Sequence, residues 1–371
     1  MTHTIVLAGG GTAGHVNPLL ATATCLRERG WDVRILGTRE GLEADLVPAA
    51  GFEFHEIERV PLPRRPTPAL LTVPQRLRHA IAQSRNVITG ADGLLGFGGY
   101  VSTPAYFAAR SEHIPIAIHE QNARPGLANR LGARWAALVA LPFGSTPLAA
   151  RQGRTEVVGL PLRPQIARLA HLRTTDEGAR TARVEGAQRF GLDPDLTTLV
   201  ITGGSLGALH INTVMASIAS ELPEGCQVLH LTGRGKDDAV RASIDEAGVA
   251  HRWHVVDYTT DMHDALAVAD LVVCRSGAGT VAELSALGLP AVYVPLPIGN
   301  GEQRLNAHDH VAAGGAELIN DAHFTVERAR TDVMGILTDQ ERLSRMRSAS
   351  AHGSSANAAE RLTDLVEEMC R

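Results

Sequence analysis

The chain has 371 residues, of which 44% are hydrophobic and 20% charged, and its formal net charge is −5 at pH 7. This length predicts two domains of ordinary size with sizeable hydrophobic cores. No apolar stretch is long enough to span a bilayer, which excludes a membrane-spanning protein, and we expect no nucleic-acid partner. The short apolar run at residues 5–8 has no basic segment before it, so it is predicted to be a core strand and not a signal peptide.

The chain contains four cysteines, and none of them belongs to a C-x-x-C pair. We therefore expect reduced thiols in a cytoplasmic protein. No zinc-binding motif is present, because the pair His119-Glu120 is not followed by a second histidine at the required spacing. The sequence thus predicts neither a metal nor a cofactor.

Charge is unevenly distributed along the chain. Residues 1–160 contain 16 Arg against 12 Asp and Glu, a net charge of +4, whereas the remainder contains 19 Lys and Arg against 28 Asp and Glu, a net charge of −9. Two long stretches, residues 59–91 and 121–155, contain no acidic residue. A basic N-terminal half in an acidic protein predicts an anionic partner for that half.

The first motif is GGGTAGH at residues 9–15, between an apolar run and a helical pattern that continues to Arg29. Asn17 suits the N-cap and Pro18 the first helical position, so the pattern predicts a strand, a glycine loop and a helix. Free backbone N–H groups and the positive end of the helix would then meet a phosphate. The alternative is a tight turn that binds nothing.

His15 stands at the mouth of this predicted helix, where a positive charge is disfavoured. A neutral imidazole is therefore expected, and such a ring can form hydrogen bonds or accept a proton. The alternative for His15 is a polar loop residue that faces water.

The pattern after this helix predicts its end at Gly30 and then a strand, a short helix and a loop rich in proline and arginine, at residues 33–36, 40–49 and 59–66. The next segment, residues 70–85, interleaves apolar residues with arginines. Such a segment suits the surface of an anionic bilayer, which Arg64 and Arg65 would also contact. It equally suits an amphipathic helix that covers the sheet, and one helix can do both.

Two further turns follow predicted strands. GFGGYVS at residues 96–102 contains a second glycine turn, and HEQN at residues 119–122 follows an apolar strand at residues 114–118. Polar residues just beyond the carboxyl ends of parallel strands lie where open α/β sheets bind ligands. The alternative for HEQN is a polar loop that caps the next helix.

The first domain is predicted to span residues 1–162, and the polar stretch at residues 170–187 is predicted to be a surface insertion or linker. The opening pattern then recurs as a strand, a glycine turn and a helix, at residues 199–202, 203–207 and 208–222. Further strands are predicted at residues 228–231, 253–256, 271–274, 291–294 and 316–319, followed by two or three helices from about residue 325. This alternation predicts a second doubly wound α/β domain over residues 163–371, whose last helix could pack back on the first.

The richest segment of the second half is RSGAGTVAE at residues 275–283. Thr280 and Glu283 have the spacing of a capping box, so Glu283 either ties down a helix start or accepts hydrogen bonds from ribose hydroxyls. Gln303 follows a loop rich in proline and glycine, and its amide suits sugar hydroxyls. The alternative for Gln303 is an exposed residue at a helix N-terminus.

Together these motifs resemble those of the MurG family of peptidoglycan glycosyltransferases. The resemblance rests on the order and spacing of residues 9–15, 98–102, 119–122, 203–205 and 274–278, with Glu283 and the pair Glu302-Gln303. It covers nearly the whole chain. The resemblance implies an α/β protein of the GT-B class, in which two Rossmann-like, doubly wound parallel-sheet domains face a central cleft.

The resemblance also implies an inverting hexosyltransferase of peptidoglycan biosynthesis. Such an enzyme moves GlcNAc from UDP-GlcNAc to the C4 hydroxyl of undecaprenyl-diphospho-MurNAc-pentapeptide (lipid I) and forms lipid II, and it needs no metal or other cofactor. The implied partners are UDP-GlcNAc, lipid I, the anionic membrane surface and other cell-wall synthesis proteins. The implied location is peripheral, on the cytoplasmic face of the cell membrane.

Residue roles follow motif by motif. The positions implied to bind UDP-GlcNAc are Thr12, Ala13, Gly14, Asn122, Arg163, Ser205, Ala278, Gly279, Thr280, Val281, Ala282, Glu283 and Gln303. The positions assigned to the acceptor or the membrane are Gly98, Gly99, Tyr100, Arg64 and Arg65. His15 and Glu120 match positions proposed for catalysis or acceptor binding. We predict His15 as the general base, with Glu120 as the second choice or as the group that orients it.

The sequence departs from the family pattern at Ala13, Leu160, Leu206, Thr259 and Gly279, which affects fine contacts to the donor. Three other functions share parts of the pattern: a UDP-GlcNAc 2-epimerase, a transferase to another acceptor and a catalytically silent UDP-sugar-binding scaffold. The basic stretch at residues 59–91 and the HEQN segment argue against the epimerase. A nicotinamide dehydrogenase is disfavoured because no suitable acid follows the second strand.

Overall fold

The structure is a computed structural model that describes residues 3–60, 72–204, 207–298, 301–350 and 356–371. The chain divides into two compact units, of which unit 1 comprises Met1–Arg163 and Asn357–Arg371 and unit 2 comprises Pro164–Ala356. We predicted a boundary one residue earlier, after residue 162. Each unit is built on its own parallel sheet, as the alternating pattern of strands and helices predicts.

Unit 1 contains a seven-stranded sheet in the order β3-β2-β1-β4-β5-β6-β7, and its described strand pairs are parallel. The strands are β1 (Thr4–Gly9), β2 (Asp32–Gly37), β3 (Glu53–Glu56), β4 (Gly93–Gly98), β5 (Ile116–His119), β6 (Leu138–Leu141) and β7 (Arg154–Val157). The helices are α1 (Ala13–Glu28), α2 (Glu43–Ala49), α3 (Val73–Ile88), α4 (Ser102–Ser111) and α5 (Leu127–Gly132). Strand order reverses between β1 and β4, so the loops that follow these two strands leave the same edge of the sheet as neighbours.

Unit 2 contains a six-stranded parallel sheet in the order β10-β9-β8-β11-β12-β13. Its strands are β8 (Thr197–Thr202), β9 (Cys226–Leu231), β10 (Trp253–Val256), β11 (Leu271–Cys274), β12 (Ala291–Tyr293) and β13 (Ala316–Leu318). Its helices are α6 (Pro164–Leu172), α7 (Asp176–Phe190), α8 (Leu209–Ala216), α9 (Asp238–Glu246), α10 (Met262–Ala267), α11 (Ala278–Ala286), α12 (Glu302–Asn306), α13 (His308–Ala312), α14 (Val326–Arg328), α15 (Gly335–Thr338) and α16 (Gln340–Ser350). Here the order reverses between β8 and β11, so unit 2 repeats the switch point of unit 1.

The last helix, α17 (Ala358–Cys370), belongs to unit 1. Leu362 and Val366 are fully buried in the same hydrophobic cluster as residues of β1 and α1. At the rim of this contact, Arg29 pairs with Asp364 at 2.5 Å. The chain therefore returns to unit 1 after it has completed unit 2.

The first helix begins one turn earlier than predicted. Thr12 rather than Asn17 is its N-cap, with φ −135° and ψ 156°, and the N–H of His15 donates to the Thr12 carbonyl at 3.0 Å. Pro18 therefore lies inside the helix, where it lacks only the hydrogen bond that an N–H would donate to the Gly14 carbonyl. As a result, Gly14 and His15 belong to the first turn of α1.

Residues 170–187 are not the insertion or linker that we predicted, because all of them except residues 173–175 lie in α6 and α7. The buried stripe of α7 consists of small residues, Ala182, Gly186 and Ala187. A Cβ at Gly186 would lie 2.5 Å from the Asp264 carbonyl oxygen on α10. A stripe of alanine and glycine produces little hydrophobic periodicity, which explains why the pattern was missed.

Candidate active site

The glycine loop that follows β1 is held by Glu43, the first residue of α2. Glu43 is completely buried, and its Oε2 accepts a hydrogen bond from the Gly11 N–H at 2.8 Å. Its Oε1 accepts from both the N–H and the hydroxyl of Thr38 at 2.9 Å. A Cβ at Gly10 or Gly41 would lie 2.2 or 2.0 Å from this carboxylate. Sequence reasoning missed Glu43, because an acid at the start of a helix is already explained by the helix dipole.

His15 contacts the N-cap residue of its own helix. Its Nδ1 lies 2.9 Å from the Thr12 hydroxyl, while a Cβ at Gly98 would lie 3.3 Å from its Nε2. Burial lowers the pKa of His15, and the negative charge of Glu43 partly opposes this shift. A neutral ring is thus favoured near pH 7, although burial rather than the helix terminus is the main cause.

The glycine turn after β4 packs directly on the glycine loop. Gly98 and Gly99 have φ values of 92° and 82°, a region that glycine adopts readily, and a Cβ at Gly99 would lie 2.6 Å from the Gly10 carbonyl oxygen. The buried Ser102 hydroxyl accepts from the Gly98 N–H at 2.9 Å and lies 2.9 Å from the Ala8 carbonyl oxygen, to which it can donate. These contacts join the ends of β1 and β4 into one structure.

Glu120 organises the loop after β5. The carboxylate is only 2% exposed, and its Oε1 accepts from the N–H groups of Gln121 and Asn122 at 2.7 and 3.0 Å. Its Oε2 accepts from the Gly126 N–H and the Asn129 amide, both at 3.0 Å. Burial raises the pKa of Glu120, and these hydrogen bonds oppose the shift. A carboxylate has about four lone-pair sites, so its capacity to accept hydrogen bonds is filled.

His119, the last residue of β5, is held as a neutral ring. Its Nε2 donates to the Gly159 carbonyl at 2.8 Å, and its Nδ1 accepts from the Gln121 side-chain amide at 2.8 Å. Burial lowers the pKa of His119 to about 4. The ring therefore ties the end of β5 to the segment beyond β7 and is not a candidate for proton transfer.

Unit 1 thus gathers many of the predicted site residues after the carboxyl ends of three neighbouring strands. The residues placed there are Thr12, Ala13, Gly14, His15, Gly98, Gly99, Tyr100, Glu120 and Asn122. Arg163 is half-buried where the continuous segment of unit 1 ends. Arg64 and Arg65 lie outside the described residues.

In unit 2 a tight loop follows β8 at the switch point. A Cβ at Gly203 would lie 2.1 Å from the Ala208 nitrogen, and one at Gly207 would lie 2.4 Å from the Thr232 carbonyl oxygen. Only glycine leaves enough room at these two positions. Ser205, and Leu206 beside it, lie outside the described residues.

Arg275, at the end of β11, secures the opposite side of this switch point. Its Nη1 donates to the carbonyls of Val294 and Pro295 at 3.0 and 3.1 Å, and it also pairs with Asp321. The second oxygen of Asp321 lies 3.1 Å from Nδ1 of His210. Sequence reasoning missed Asp321 and His210, because they are distant in the chain and belong to no motif.

Helix α11 begins with an uncapped N-terminus. Gly277 is the N-cap, in an extended conformation with φ −60° and ψ 147°, and it provides no side chain to cap the helix. The capping-box prediction is therefore wrong, because Thr280 lies within the first turn and Glu283 in the second. The first N–H groups of a helix have no intrahelical partner, so those from Ala278 onward can bind an anion.

The residues of α11 that were predicted to bind UDP-GlcNAc, residues 278–283, divide between a buried face and a half-buried face. Val281 and Ala282 are 1% and 3% exposed and belong to the core, so their side chains are not available to a ligand. Gly279, Thr280 and Glu283 are half-buried.

Gln303 lies near the start of α12, after Gly301 in a left-handed conformation with φ 72°. Its Oε1 accepts from the Leu296 N–H at 2.9 Å. The amide nitrogen of Gln303 remains a donor for a ligand. Thr259, one of the departures, accepts a hydrogen bond from the Asp261 N–H at 2.9 Å and so shapes the turn before α10.

Within the described part of the chain, one group of side chains has the spacing of metal ligands: Asp261, His263 and Asp264. Arg189 already pairs with Asp261 at 2.9 Å and with Asp264 at 2.5 Å. Both carboxylates are therefore already paired with a guanidinium, and we assign this group a structural role.

Comparisons with known proteins find similarity to glycosyltransferases. The family model "Glycosyltransferase family 28 N-terminal domain" matches residues 5–141, and "Glycosyltransferase family 28 C-terminal domain" matches residues 198–362. A Bifidobacterium adolescentis protein is 51% identical over 92% of this chain and 91% of its own length. A Streptomyces coelicolor protein is 47% identical over 98% and 97%. Both relatives are named UDP-N-acetylglucosamine--N-acetylmuramyl-(pentapeptide) pyrophosphoryl-undecaprenol N-acetylglucosamine transferase.

Solved structures of similar proteins share the fold. The crystal structure of Acinetobacter baumannii MurG is 27% identical, with a TM-score of 0.79 and coverage of 99% of both chains. A UDP-GlcNAc 2-epimerase from Neisseria meningitidis, bound to UDP-GlcNAc, has a TM-score of 0.68 at 15% identity and covers 99% of this chain and 100% of its own. The second likeness concerns the fold alone.

Proposed function

The chain belongs to glycosyltransferase family 28, and from this membership we propose how its residues carry out the reaction of its relatives. It has the GT-B fold and is a hexosyltransferase that transfers GlcNAc from UDP-GlcNAc onto lipid I to make lipid II, a step of peptidoglycan biosynthesis. The observation that carries this conclusion is 46–51% identity to relatives named for that activity, over nearly the full length of both proteins. The epimerase alternative is not favoured, because its likeness is confined to the fold.

We propose that His15 is the general base. For Nε2 to accept a proton, Nδ1 must carry the ring hydrogen, and the Thr12 hydroxyl at 2.9 Å is placed to accept it. The C4 oxygen of the acceptor then attacks the anomeric carbon while its proton passes to Nε2. The anomeric bond to UDP breaks, the electron pair leaves with the diphosphate, and the configuration inverts.

Glu120 is proposed as a positioning residue and not as the base. Its four hydrogen bonds all come from its own loop and from Asn129, so no lone pair is left to accept a proton from a substrate. Asn129 connects it toward the site, because its Nδ2 lies beside the Gly98 turn, where a Cβ would approach to 3.3 Å. Glu120 would thus shape the loop that contains Asn122, one of the proposed donor contacts.

We propose the contacts to the donor residue by residue, beginning with unit 2. In unit 2 the uncapped N–H groups of Ala278, Gly279 and Thr280 would stabilise the charge that develops on the leaving diphosphate. Glu283 would accept from the ribose and Gln303 would donate to GlcNAc hydroxyls. The remaining proposed donor contacts are Thr12, Ala13, Gly14, Asn122, Arg163 and Ser205, the last of which lies outside the described residues.

We further propose that unit 1 contacts the cytoplasmic face of an anionic membrane through Tyr100 and Leu127, which are 44% and 71% exposed. Arg59 stacks on the Tyr100 ring, with Cζ 5.1 Å from the ring centroid, and adds a positive charge to this surface. No helix within the described ranges is long and apolar enough to cross a membrane. An exposed surface with apolar and basic side chains also fits a lipid-linked acceptor.

Helix α3 contributes less positive charge to this surface than its sequence predicts. Arg76 pairs with Glu58 at 2.6 Å and Arg85 with Glu112 at 3.0 Å, so acids from outside the acid-free stretch neutralise them. Ile88 of α3 is fully buried in the core, which supports the alternative in which this helix covers the sheet.

The function is tested by measuring UDP release from UDP-GlcNAc with and without a short-chain lipid I analogue, together with the product mass. We expect release only when the acceptor is present, and a product heavier by one GlcNAc. Turnover without acceptor would indicate an isomerase or hydrolase. Tight donor binding without turnover on lipid I would indicate a different acceptor.

A further inference from the structure

Glu43 is an acidic residue that the mechanism above does not use, although it is fully buried beside the site. Its described contacts are the Gly11 N–H and the N–H and hydroxyl of Thr38, and they include no arginine, lysine or histidine partner. Burying a carboxylate without a counter-ion is costly unless hydrogen bonds replace the lost water. A buried acid in this position calls for a functional explanation.

The packing around Glu43 connects it to both walls of the site. Gly10 and Gly41 leave room for its carboxylate oxygens, and Gly37 leaves room for its Cγ, which a Cβ there would approach to 2.5 Å. Gly10 also supports the second glycine turn, because its carbonyl oxygen would lie 2.6 Å from a Cβ at Gly99. A shift of the Glu43 carboxylate would therefore move the loop and the turn together.

The loop that Glu43 holds leads directly into the turn of helix that contains His15. Gly11, whose N–H is bound by Glu43, precedes Thr12, and Thr12 is both the N-cap of α1 and the partner of the His15 ring. Two hydrogen bonds, joined by the covalent link between Gly11 and Thr12, thus connect the carboxylate to the imidazole.

Three charged groups among the described residues lie on the elements around the His15 ring. Glu43, the first residue of α2, carries the negative charge that raises the pKa of His15 against the effect of burial. Glu120 lies on the side of the Gly98 turn and is engaged by the Asn129 amide. Arg59 stacks on Tyr100, two residues beyond Gly98.

We propose that Glu43 is a positioning residue for His15, which it aligns through the glycine loop. The inference rests on the function of His15 proposed above. It makes two separable predictions, one about loop geometry and one about charge.

The test compares Glu43→Gln, which keeps the size but removes the charge, with Glu43→Asp, which keeps the charge but shortens the side chain. Glu40→Gln is the matched control, because Glu40 is an exposed acid on the same segment. The pKa of His15 is read directly by NMR on protein labelled in its histidine rings, with the His15 signal assigned from its loss in His15→Gln. Lipid II formation is measured across pH in the same variants.

We expect Glu43→Gln to lower the pKa of His15 and to move the acidic limb of kcat/KM to lower pH, because an attractive charge is lost. Both Glu43 variants should reduce kcat/KM by up to about 100-fold, since misplacing a reacting group by about 1 Å has that effect. Glu43→Asp should leave the pKa of His15 close to that of the wild type, and so should Glu40→Gln.

An unchanged His15 titration in a folded Glu43→Gln protein would overturn the charge part, and wild-type kcat/KM in Glu43→Asp would overturn the geometric part. If Glu43→Gln fails to fold, Glu43→Asp still decides the geometric part. An inactive wild-type protein whose His15 pKa still depends on Glu43 would instead refute the proposed reaction, so the two failures are distinguishable.

Discussion

The two units place loops at the same kind of sheet switch point but secure them with opposite charges. In unit 1 a buried carboxylate, Glu43, accepts an N–H of the glycine loop, and a second, Glu120, accepts three N–H groups after β5. In unit 2 the guanidinium of Arg275 donates to two carbonyls after β12. A carboxylate accepts hydrogen bonds and therefore engages backbone N–H groups. A guanidinium donates to backbone carbonyls and leaves the N–H groups available to a ligand. Unit 1 is therefore suited to hold a base, and unit 2 to offer N–H groups to a diphosphate.

Acid should affect the two units most differently, because among the described residues burial lowers the pKa of three histidines in unit 2, His230, His254 and His310, against two in unit 1, His15 and His119. Burial lowers the pKa of His230 to about 3 and that of His310 to about 4, against about 4 for His119 in unit 1. The unfolded chain binds protons first, so the stability is fully present above about pH 6.5 and is lost as the pH falls towards the folded values. At pH 5 each of these histidines should cost about 2 kcal/mol of unfolding free energy.

Tryptophan fluorescence can separate the two units in this experiment. Trp253 reports unit 2, and its ring centroid lies 6.2 Å from that of His230, while a Trp253→Phe variant leaves only Trp31 and Trp135 of unit 1. Thermal unfolding at about pH 7.5 and about pH 5 should show the larger loss of melting temperature in unit 2. Equal losses in the two units would contradict the prediction.

Replacing His15 with Ala should lower turnover by roughly 10²–10⁴-fold, because the acceptor hydroxyl loses its general base. UDP affinity should change less than turnover, since the N–H groups proposed to bind the diphosphate lie at the start of α11 in unit 2. Steady-state kinetics with the lipid I analogue and calorimetry with UDP measure the two effects. His308→Ala, which removes an exposed histidine on α13, is the control. A rate within about threefold of the wild type would remove His15 from the role of base.

Arg275→Met should destabilise unit 2 by about 3 kcal/mol, because it leaves Asp321 without its cation and two carbonyls without their donor. Denaturant unfolding followed by Trp253 fluorescence measures the loss. Arg180→Ala breaks an exposed pair with Asp195 and should cost less than about 1 kcal/mol. Similar losses in both variants would show that Arg275 does not anchor the switch point.

The smallest expected effect is on the binding of the protein to membranes, and its measurement again compares the two units. Leu127→Ser should weaken binding to vesicles of anionic phospholipid by about tenfold, as expected for the loss of one partly buried leucine. Leu209→Ser, which changes a similarly exposed leucine of unit 2, should leave binding unchanged. Co-sedimentation measures both, and an equal effect would refute a membrane surface specific to unit 1. Reversing Arg64 and Arg65 to Glu should weaken binding further.

Elements that depend on a local sequence pattern could be predicted from the chain. The strand, glycine loop and helix at residues 4–28 and the strand at residues 271–274 follow from apolar runs and glycine, although the first helix begins at Ala13 and not at Pro18. Helix α7 was missed because alanine and glycine form its buried stripe. The capping box at Thr280 was wrong because Gly277 starts α11. The spacing of Thr280 and Glu283 alone does not show which residue is the extended N-cap from which the helix begins.

The sequence by itself determined two parallel α/β domains, their glycine loops and the family, because these depend on local pattern and on the order of motifs. Only the tertiary structure decided which charges the loops meet. The Glu43 carboxylate, at the start of α2, accepts a hydrogen bond from the Gly11 N–H in the glycine loop. Asp321 pairs with Arg275, although the two residues are 46 positions apart in the chain. Glu58 and Glu112 neutralise arginines in a stretch that contains no acid of its own. These pairings arise from strand order and burial, which bring together residues that share no local pattern.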